Sequence, residues 1–300
     1  MAKVDTVLDS GELSQPTTFA SRIRSSNFLR QFRRSRHAVV SLFVLLLFFI
    51  AAIGAPVLAP HDPIQFDLIN SLAPMSLDHP LGTDELGRDM LSRMLYGSRI
   101  TFLITFGAVL IALVVGTALG TVAGYRGGIT DTLIMRFVDI LLAMPMFLLA
   151  VVIIAALGPG VNNVILAVGV GSVPDFARVA RGSTMSVKQE DYVLAAQATG
   201  VNDRRIISRH ILPNVLPPLL VQSTLRLATA ILTASGLSFL GLGPQPPTAE
   251  WGAMLSAGRN FMTSSPQLLI IPGVAILLVT VAFNLVGDGL RDALDPRMRR

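Results

Sequence analysis

The chain has 300 residues, of which 52% are hydrophobic and only 14% charged, whereas soluble domains carry roughly 25% charged residues. Several charge-free runs exceed the roughly 20 apolar residues of a bilayer-spanning helix, which excludes an ordinary soluble protein. The net charge of +5 is better explained by membrane topology than by nucleic-acid binding, and the absence of cysteine excludes disulfides and thiolate metal sites.

Six membrane spans are predicted from the apolar runs and from the breakers between them. The segment Leu157-Gly158-Pro159-Gly160 divides one long run into two spans joined by a tight turn. The fifth span follows three prolines and contains one charge, Arg226. The chain is therefore predicted to be an all-α polytopic membrane protein with spans at about 38–58, 100–123, 132–156, 162–180, 216–240 and 267–287.

These spans divide the chain into four parts. They are a basic cytoplasmic tail (1–37), a first helix with an extracytoplasmic loop (38–99), a five-helix core (100–287) that includes a cytoplasmic loop (181–214), and a cytoplasmic C-terminal tail (288–300).

The orientation follows from the positions of Lys and Arg. Eighteen of the 24 lie in the N-terminal tail, the turn at Arg126, the 178–209 segment and the C-terminal tail, whereas four lie in the opposite loops. Because positive residues accumulate on the cytoplasmic side, both termini are predicted to be cytoplasmic.

The first outer loop ends in a segment with helical spacing of apolar residues. Over Asp84–Arg99, residues Leu86, Met90 and Met94 share a face. This pattern fits an amphipathic helix on the outer membrane surface, and it fits a short connector packed on the bundle equally well.

The cytoplasmic stretch KQEDYVLAAQATGVNDRRIISRHILPN predicts two short helices joined at a bend. Good helix formers occupy Glu190–Thr199, and Gly200 then suits the left-handed conformation that ends a helix. Asn202 or Asp203 supplies an N-cap for a second helix over Arg204–Leu212, which the following proline ends.

Small side chains make the first of these helices slim. With alanine at positions 195, 196 and 198, the helix can enter a groove on another protein where bulky side chains would clash. An ordinary amphipathic linker explains the same residues equally well.

This stretch resembles the EAA loop of ABC importer permeases, whose pattern is E-A-A, three residues, Gly, nine residues and then I-x-L-P. The residues in register are Ala195, Ala196, Gly200, Leu212 and Pro213. Leu194 stands where the pattern has Glu, and His210 stands where it has Ile, so a salt bridge at the first position is not expected.

The resemblance extends over nearly the whole chain. The stretches HPLGTDELGRDMLSRMLYGSR, MRFVDILLAMP, SFLGLGPQPPTAEWGAML and AFNLVGDGLRDALDPR are similar to the peptide/nickel branch of these permeases. The short first outer loop is similar to that of the C-type permease of dipeptide and oligopeptide importers. The resemblance implies a type I ABC importer permease fold in a prokaryotic plasma membrane.

The resemblance also implies a function and a set of partners. The chain is expected to form, with a second homologous permease, the pathway for dipeptides or oligopeptides. Two ATPase subunits, which bind ATP and magnesium, would dock at the EAA-like loop, and an extracytoplasmic solute-binding protein would deliver the solute. The expected coupling residues are Tyr192, Ala195, Ala196, Gly200, Asp203, Leu212 and Pro213. The alternatives are the same machinery carrying nickel or another small solute, and a self-sufficient secondary transporter.

The chain's own residues indicate a non-catalytic subunit. It has no G-x-x-x-x-G-K-[ST] phosphate loop, no G-x-S-x-G elbow and no H-E-x-x-H pair. No cofactor and no nucleic acid is therefore expected to bind this chain. The histidines, none of which shares a helix face with a second one, predict no metal site: His37, His61, His79 and His210.

Four residues in or near the spans are candidates for the pathway or a gate. Arg136 and Asp139 are three apart on one helix face and predict either a structural ion pair or a gate. Arg226 fits a contact with a peptide carboxylate or a bridge to the partner permease. Met144 adjoins a proline that should kink the third span, and it fits either a pathway lining or a packed kink.

The second outer loop, Gly241–Trp251, is rich in proline and should be stiff. It fits either a contact for a solute-binding protein or a plain interfacial anchor, and Trp251 is predicted to lie at the membrane interface.

Overall fold

The computed structural model describes residue 32 and residues 35–294, and over these residues the chain is helical, with one isolated bridge between Thr83 and Asp89. Most of the predicted N-terminal tail and the last six residues lie outside the described part. The helices are α1 (Arg36–Leu58), α2 (Met90–Arg126), α3 (Gly128–Leu142), α4 (Met146–Leu157), α5 (Val161–Lys188), α6 (Asp191–Ala198), α7 (Asp203–Ile206), α8 (Leu212–Phe239), α9 (Trp251–Gly258) and α10 (Gln267–Leu294).

Among these helices, α1, α2, α5, α8 and α10 are individually long and apolar enough to cross a bilayer. The pair α3 and α4, bent by 88° at a short break, supplies a sixth span when it is taken as one. The break lies at Pro145, which has no amide hydrogen and therefore cannot continue the hydrogen bonds of α3. The prediction of an all-α polytopic protein is confirmed.

The packing of α2 against α5 shows why the bent pair must cross. The two helices are parallel, because Gly107 faces Ile165 near the start of α5 and Gly124 faces Arg181 near its end. Between Arg126, where α2 ends, and Val161, where α5 begins, the chain therefore has to run back along α2 towards the end at which α2 started. Helices of 15 and 12 residues at 88° reach about 29 Å from end to end, close to the ~30 Å of a hydrocarbon core.

Glycines let α2 and α5 approach closely. A Cβ added at Gly116 would lie 2.5 Å from the Cβ of Phe176, and one at Gly124 would lie 2.7 Å from the carbonyl oxygen of Arg181. A Cβ at Gly120 would overlap the carbonyl group of Ala177. Because these glycines are four residues apart, they form the stripe of small residues that is typical of membrane helix contacts.

The predicted turn between the third and fourth spans is confirmed. Helix α4 ends at Leu157, and Gly158 follows with a φ of 88° and donates its amide hydrogen to the carbonyl of Ile154 at 2.7 Å. Helix α5 begins at Val161.

The segment Asp84–Arg99 is not a helix on the membrane surface; residues 84–89 pack as a largely buried connector, as the second alternative predicted, and the rest is helical. Helix α2 begins at Met90, with Asp89 as its N-cap, and continues without a break into the membrane span. Met90 and Met94 are buried in the bundle and do not face the membrane surface. No breaker separates them from the apolar run that follows, so the first turns belong to the same long helix.

The prediction that Trp251 anchors the chain at the membrane interface is wrong. This side chain is only 1% exposed. Its ring lies edge-on to Phe48 and Phe102, with centroids at 5.6 and 6.0 Å. Its indole nitrogen donates to the carbonyl oxygen of Met94 at 3.1 Å, which satisfies the one polar group of the ring inside the bundle.

Glu250 holds the start of α9 in this buried position. One carboxylate oxygen accepts from the amide of Gly252 at 3.0 Å and from the hydroxyl of Thr101 at 3.2 Å, and the other accepts from the amide of Ala253 at 2.9 Å. Burial raises the pKa of Glu250, although the two backbone donors act in the opposite direction. The second outer loop is thus fastened to α2.

Candidate functional site

The loop between α5 and α8 (residues 189–211) carries five of the predicted coupling residues, and the other two, Leu212 and Pro213, are the first residues of α8. In α6, Val193 is fully buried, whereas Leu194 is 48% exposed and Ala195 is also exposed. Ala196 lies between these extremes, because it packs partly against the core. The helix therefore presents a small apolar surface outward, and its exposed alanines are Ala195 and Ala198, not Ala196.

Gly200 ends α6 in the predicted left-handed conformation, with a φ of 75°. Its amide donates to the carbonyl of Gln197 at 3.0 Å, and the amide of Val201 donates to that of Ala196 at 3.1 Å. These two bonds are the Schellman arrangement, which satisfies carbonyls that the helix end leaves free. No heavy atom lies within 4 Å of the place where a Cβ would stand, so the backbone angle alone requires glycine here.

The second helix begins as predicted but does not end there. The side chain of Asn202 accepts from the amide of Arg204 at 3.0 Å and caps α7. A π-helical turn over Ile207–Ile211 then leads directly into α8, so the prediction that Pro213 stops this helix is wrong. Leu212 donates to the carbonyl of Ile207, five residues back, and this shift of register lies immediately before the proline that has no amide hydrogen to donate.

Side chains at the end of α2 and the start of α8 fasten this loop to the bundle, and Lys188 joins the end of α5 to the end of α2. The hydroxyl of Tyr125 donates to the carboxylate of Asp203 at 2.7 Å, and the ammonium of Lys188 donates to the carbonyl of Tyr125 at 2.6 Å. Asn214 donates to the hydroxyl of Tyr192 at 3.3 Å. Sequence reasoning missed Tyr125 and Lys188, because nothing local marks contacts between residues 78 and 63 positions apart.

A charged cavity of about 570 Å³ lies between α3 and α5, on the side of the bundle where this loop is attached. Two ion pairs cross it. Arg181 holds both carboxylate oxygens of Asp131, at 2.5 and 2.6 Å, and Arg178 lies 2.8 Å from Asp139. Arg136 also lines the cavity, is exposed, and forms no ion pair with any described residue. The three arginines and two aspartates that line the cavity therefore give it a net charge of +1, which Arg136 carries.

The prediction that Asp139 pairs with Arg136 is therefore wrong. Spacing along one helix shows which side chains are neighbours on it, whereas the crossing of α3 and α5 brings Arg178 to Asp139. Arg226 likewise finds a partner within this chain, which was not among its predicted contacts. Its guanidinium lies 2.9 Å from Asp175, and both side chains are about one quarter exposed, at 25% and 27%.

Met144 lies in the break between α3 and α4 and is 41% exposed. Its neighbour Met146 contributes to the packed side of the break, where a Cβ added at Gly171 would lie 3.1 Å from its Cγ. The predicted kink is thus present, with Met144 exposed and Met146 partly buried against the core.

Comparison with known proteins assigns the chain to a family. The family described as "Binding-protein-dependent transport system inner membrane component" matches residues 116–300. The family described as "N-terminal TM domain of oligopeptide transport permease C" matches residues 25–74.

Two curated relatives match this chain over about nine tenths of their own length. The chain is 45% identical to the dipeptide transport system permease protein DppC of Alkalihalophilus pseudofirmus, over 90% of this chain and 89% of the relative. It is 46% identical to the glutathione transport system permease protein GsiD of Pectobacterium atrosepticum, over 91% of each.

Among solved structures, a chain of the MetNI methionine ABC transporter in an inward-facing conformation matches with a TM-score of 0.52 and 20% identity. The match covers 67% of this chain and 97% of that one. The shared fold is that of an ABC importer permease.

Proposed function

Because this chain belongs to the binding-protein-dependent transport system inner membrane components, the permease subunits of ABC importers, we propose that it forms the pathway for dipeptides or oligopeptides together with a second permease. Two separate ATPase subunits bind ATP and magnesium and dock at the α5–α8 loop. A solute-binding protein docks on the opposite, extracytoplasmic side. Both termini face the cytoplasm.

The observation that carries this proposal is the shape of the α5–α8 loop. Its first helix exposes Leu194 and Ala195 while Val193 fixes it from below. A slim apolar ridge of this kind fits a groove on a partner. Leu194, at the position where the family pattern has Glu, makes the contact apolar where a salt bridge would otherwise form.

The anchors of the loop suggest how movement reaches the bundle. Asp203 is tied to Tyr125 at the end of α2, and Lys188 at the end of α5 is tied to the same tyrosine. Since α2 and α5 pack backbone to backbone at their glycines, a displacement of the loop would move them as one unit. Closure of the ATPases would thus be transmitted from the loop through the Tyr125–Asp203 hydrogen bond to α2, and through the Lys188–Tyr125 hydrogen bond from α2 to α5.

The charged cavity is the proposed inner mouth of the pathway. The pairs Asp131–Arg181 and Asp139–Arg178 join α3 to α5, and breaking them would let the two helices separate. Arg136 carries the unpaired charge of this cavity and suits the terminal carboxylate of a leaving peptide.

A second candidate substrate is glutathione, since a permease named for glutathione transport is as similar to this chain as one named for dipeptide transport. Both substrates present a peptide carboxylate to the same cavity, so uptake measurements with the complete importer must separate them. Competition between a labelled dipeptide and unlabelled glutathione, with nickel as a third competitor, would do so.

The substitution Ala195→Arg tests the docking proposal. It places a long cation on an exposed position and should leave the bundle intact. We expect the permease to remain in the membrane at normal levels but to lose the ATPase subunits during purification and to lose ATP-driven uptake. Ala195→Ser keeps the helix slim and is the matched control. Full docking and uptake with Ala195→Arg would contradict the proposal.

A further inference from the structure

Three metal-ligating side chains from separate parts of the α1–α2 loop lie together at the outer end of the bundle. They are His61, just after α1, His79, in the middle of the loop, and Asp89, the N-cap of α2, and one ligand atom from each lies within 4.8 Å of the others. We propose that these three side chains bind one divalent transition-metal ion, and that zinc fits this donor set best.

The spacing of the ligand atoms suits a tetrahedral ion. The Nδ1 atoms of His79 and His61 lie 3.0 and 4.0 Å from the same Oδ1 atom of Asp89. Two ligand atoms on one tetrahedral zinc, each at about 2.0–2.1 Å from the metal, are about 3.3 Å apart. The observed distances lie on either side of this value. All three ligand atoms lie within 4.8 Å of one another, and His61, whose side chain is 43% exposed, has room to move closer to the other two.

The carboxylate is already held in a ligating orientation. The side chain of Asp89 is fully buried, and its Oδ2 atom accepts from the amide of Ser92 at 2.8 Å and from the Ser92 hydroxyl at 2.7 Å. These two donors leave Oδ1 directed at the histidines. Hydrogen bonds that fix a ligand in this way are a regular part of metal sites.

Both histidines are also positioned by their backbones. The amide of His61 donates to the hydroxyl of Ser92 at 3.1 Å, so the end of α1 is tied to the residue that orients Asp89. The amide of His79 donates to the hydroxyl of Ser76 at 3.0 Å within a turn. As a result the two imidazole rings lie against each other, with centroids 4.7 Å apart.

The donor set selects the class of metal. Two imidazole nitrogens and one carboxylate oxygen suit zinc and other divalent transition metals, whereas magnesium and calcium prefer oxygen ligands alone. Three protein ligands leave a fourth position for water, beside the exposed edge of His61. A bound ion would connect the beginning, middle and end of the α1–α2 loop.

A purely structural cluster makes a different prediction. Without metal, His79 and Asp89 form a hydrogen bond at 3.0 Å, whereas the His61 ring lies against His79 and 4.0 Å from Asp89, too far for a hydrogen bond. In such a cluster the His61 side chain is not needed to hold Asp89 and His79 together. In a metal site it is needed as the third ligand.

The test uses the full-length chain, purified in detergent, stripped with a chelator and titrated with zinc chloride by calorimetry. We expect one zinc ion per chain. His61→Ala should weaken zinc binding by at least about tenfold, since even changes outside the ligand set cost about 10–100-fold. His37→Ala removes an exposed histidine of α1 and is the matched control, with unchanged zinc binding.

Asp89→Asn provides a second variant, because asparagine also caps helices but lacks the carboxylate charge, and it should weaken zinc binding too. Cobalt in place of zinc should give the visible absorption of a tetrahedral site in the parent chain and lose it in His61→Ala. Binding of less than one zinc per chain, or equal affinity in His61→Ala and the parent chain, would overturn the proposal. Neither result bears on transport by the importer.

Discussion

At the scale of single residues, Gly200 sets the bend of the α5–α8 loop. Its φ of 75° disfavours any side chain with a Cβ, although there is open space around it. We expect Gly200→Ala to destabilise the loop by about 1–2 kcal/mol. Gly200→Asn should cost less, because asparagine adopts this conformation more readily. Hydrogen exchange over residues 190–212 measures the difference, and equal protection in both variants and the parent chain would refute this account.

The charged cavity gives the second prediction at this scale. Asp139 and Arg178 are 47% and 56% exposed, and exposed ion pairs contribute only about 0–1 kcal/mol. Asp139→Ala should therefore leave the amount of folded permease nearly unchanged. A buried pair of Asp139 with Arg136 would instead predict a marked loss of folded protein, partly restored when both residues are replaced.

A variant of Arg136 distinguishes an effect on transport from an effect on stability. Because it forms no ion pair with a described residue, Arg136→Gln should keep normal abundance but change peptide uptake if the cavity is the inner mouth. Arg126→Gln removes another exposed arginine near the same end of the bundle and serves as the control. Unchanged uptake with Arg136→Gln would remove Arg136 from the pathway.

These residues also show what a sequence can predict at this scale. The conformation of Gly200 and the cap at Asn202 are local, so the neighbouring residues were enough to predict them. The partners of Asp139 and Asp203 are 39 and 78 positions away. Such contacts depend on how two helices cross, and the spacing of residues along one helix gives no information about that crossing.

At the scale of helices, the contact between α2 and α5 makes a prediction about stability. Gly120→Ala would place a Cβ against the backbone of Ala177, which cannot give way as a flexible side chain could. Overpacking of this kind typically costs about 1–3 kcal/mol. Gly182→Ala in α5 is the matched control, because nothing lies within 4 Å of its Cβ. Alanine there should stabilise the helix by up to about 1 kcal/mol.

Thermal unfolding of both variants in the same detergent tests this contact. Gly120→Ala should unfold at a lower temperature than the parent chain, and Gly182→Ala at the same or a higher one. Equal unfolding temperatures for the two variants would mean that α2 and α5 do not meet at this glycine.

Helix boundaries were predictable where a local breaker decides them. Pro145 and Gly158 interrupt the chain as expected. Pro213 does not, because the π-helical turn before it shifts the hydrogen-bond register. The start of α2 at Met90 was missed for a related reason. The first turns of α2 are buried by α9 and the α1–α2 loop, and tertiary packing of that kind cannot be recognised from the neighbouring residues in the sequence.

At the scale of the whole molecule, the number of membrane crossings determines which loops share a side. The α1–α2 loop and the α5–α8 loop are separated by α2, the bent pair α3–α4, and α5. If the pair crosses, the two loops lie on opposite sides. If it re-enters and leaves on the side where it began, they lie on the same side. The parallel packing of α2 and α5 requires the crossing.

The absence of cysteine from the chain makes this directly measurable. Leu77→Cys places one thiol at a fully exposed position of the α1–α2 loop, and Ser208→Cys places one at an exposed position of the α5–α8 loop. With a membrane-impermeant maleimide added to intact cells whose outer barrier is open, we expect Leu77→Cys to be labelled. Ser208→Cys should react only after the plasma membrane is permeabilised, because the excess of Lys and Arg predicts a cytoplasmic position for that loop. Labelling of both thiols from outside would show that the bent pair does not cross, and labelling of Ser208→Cys alone would reverse the orientation.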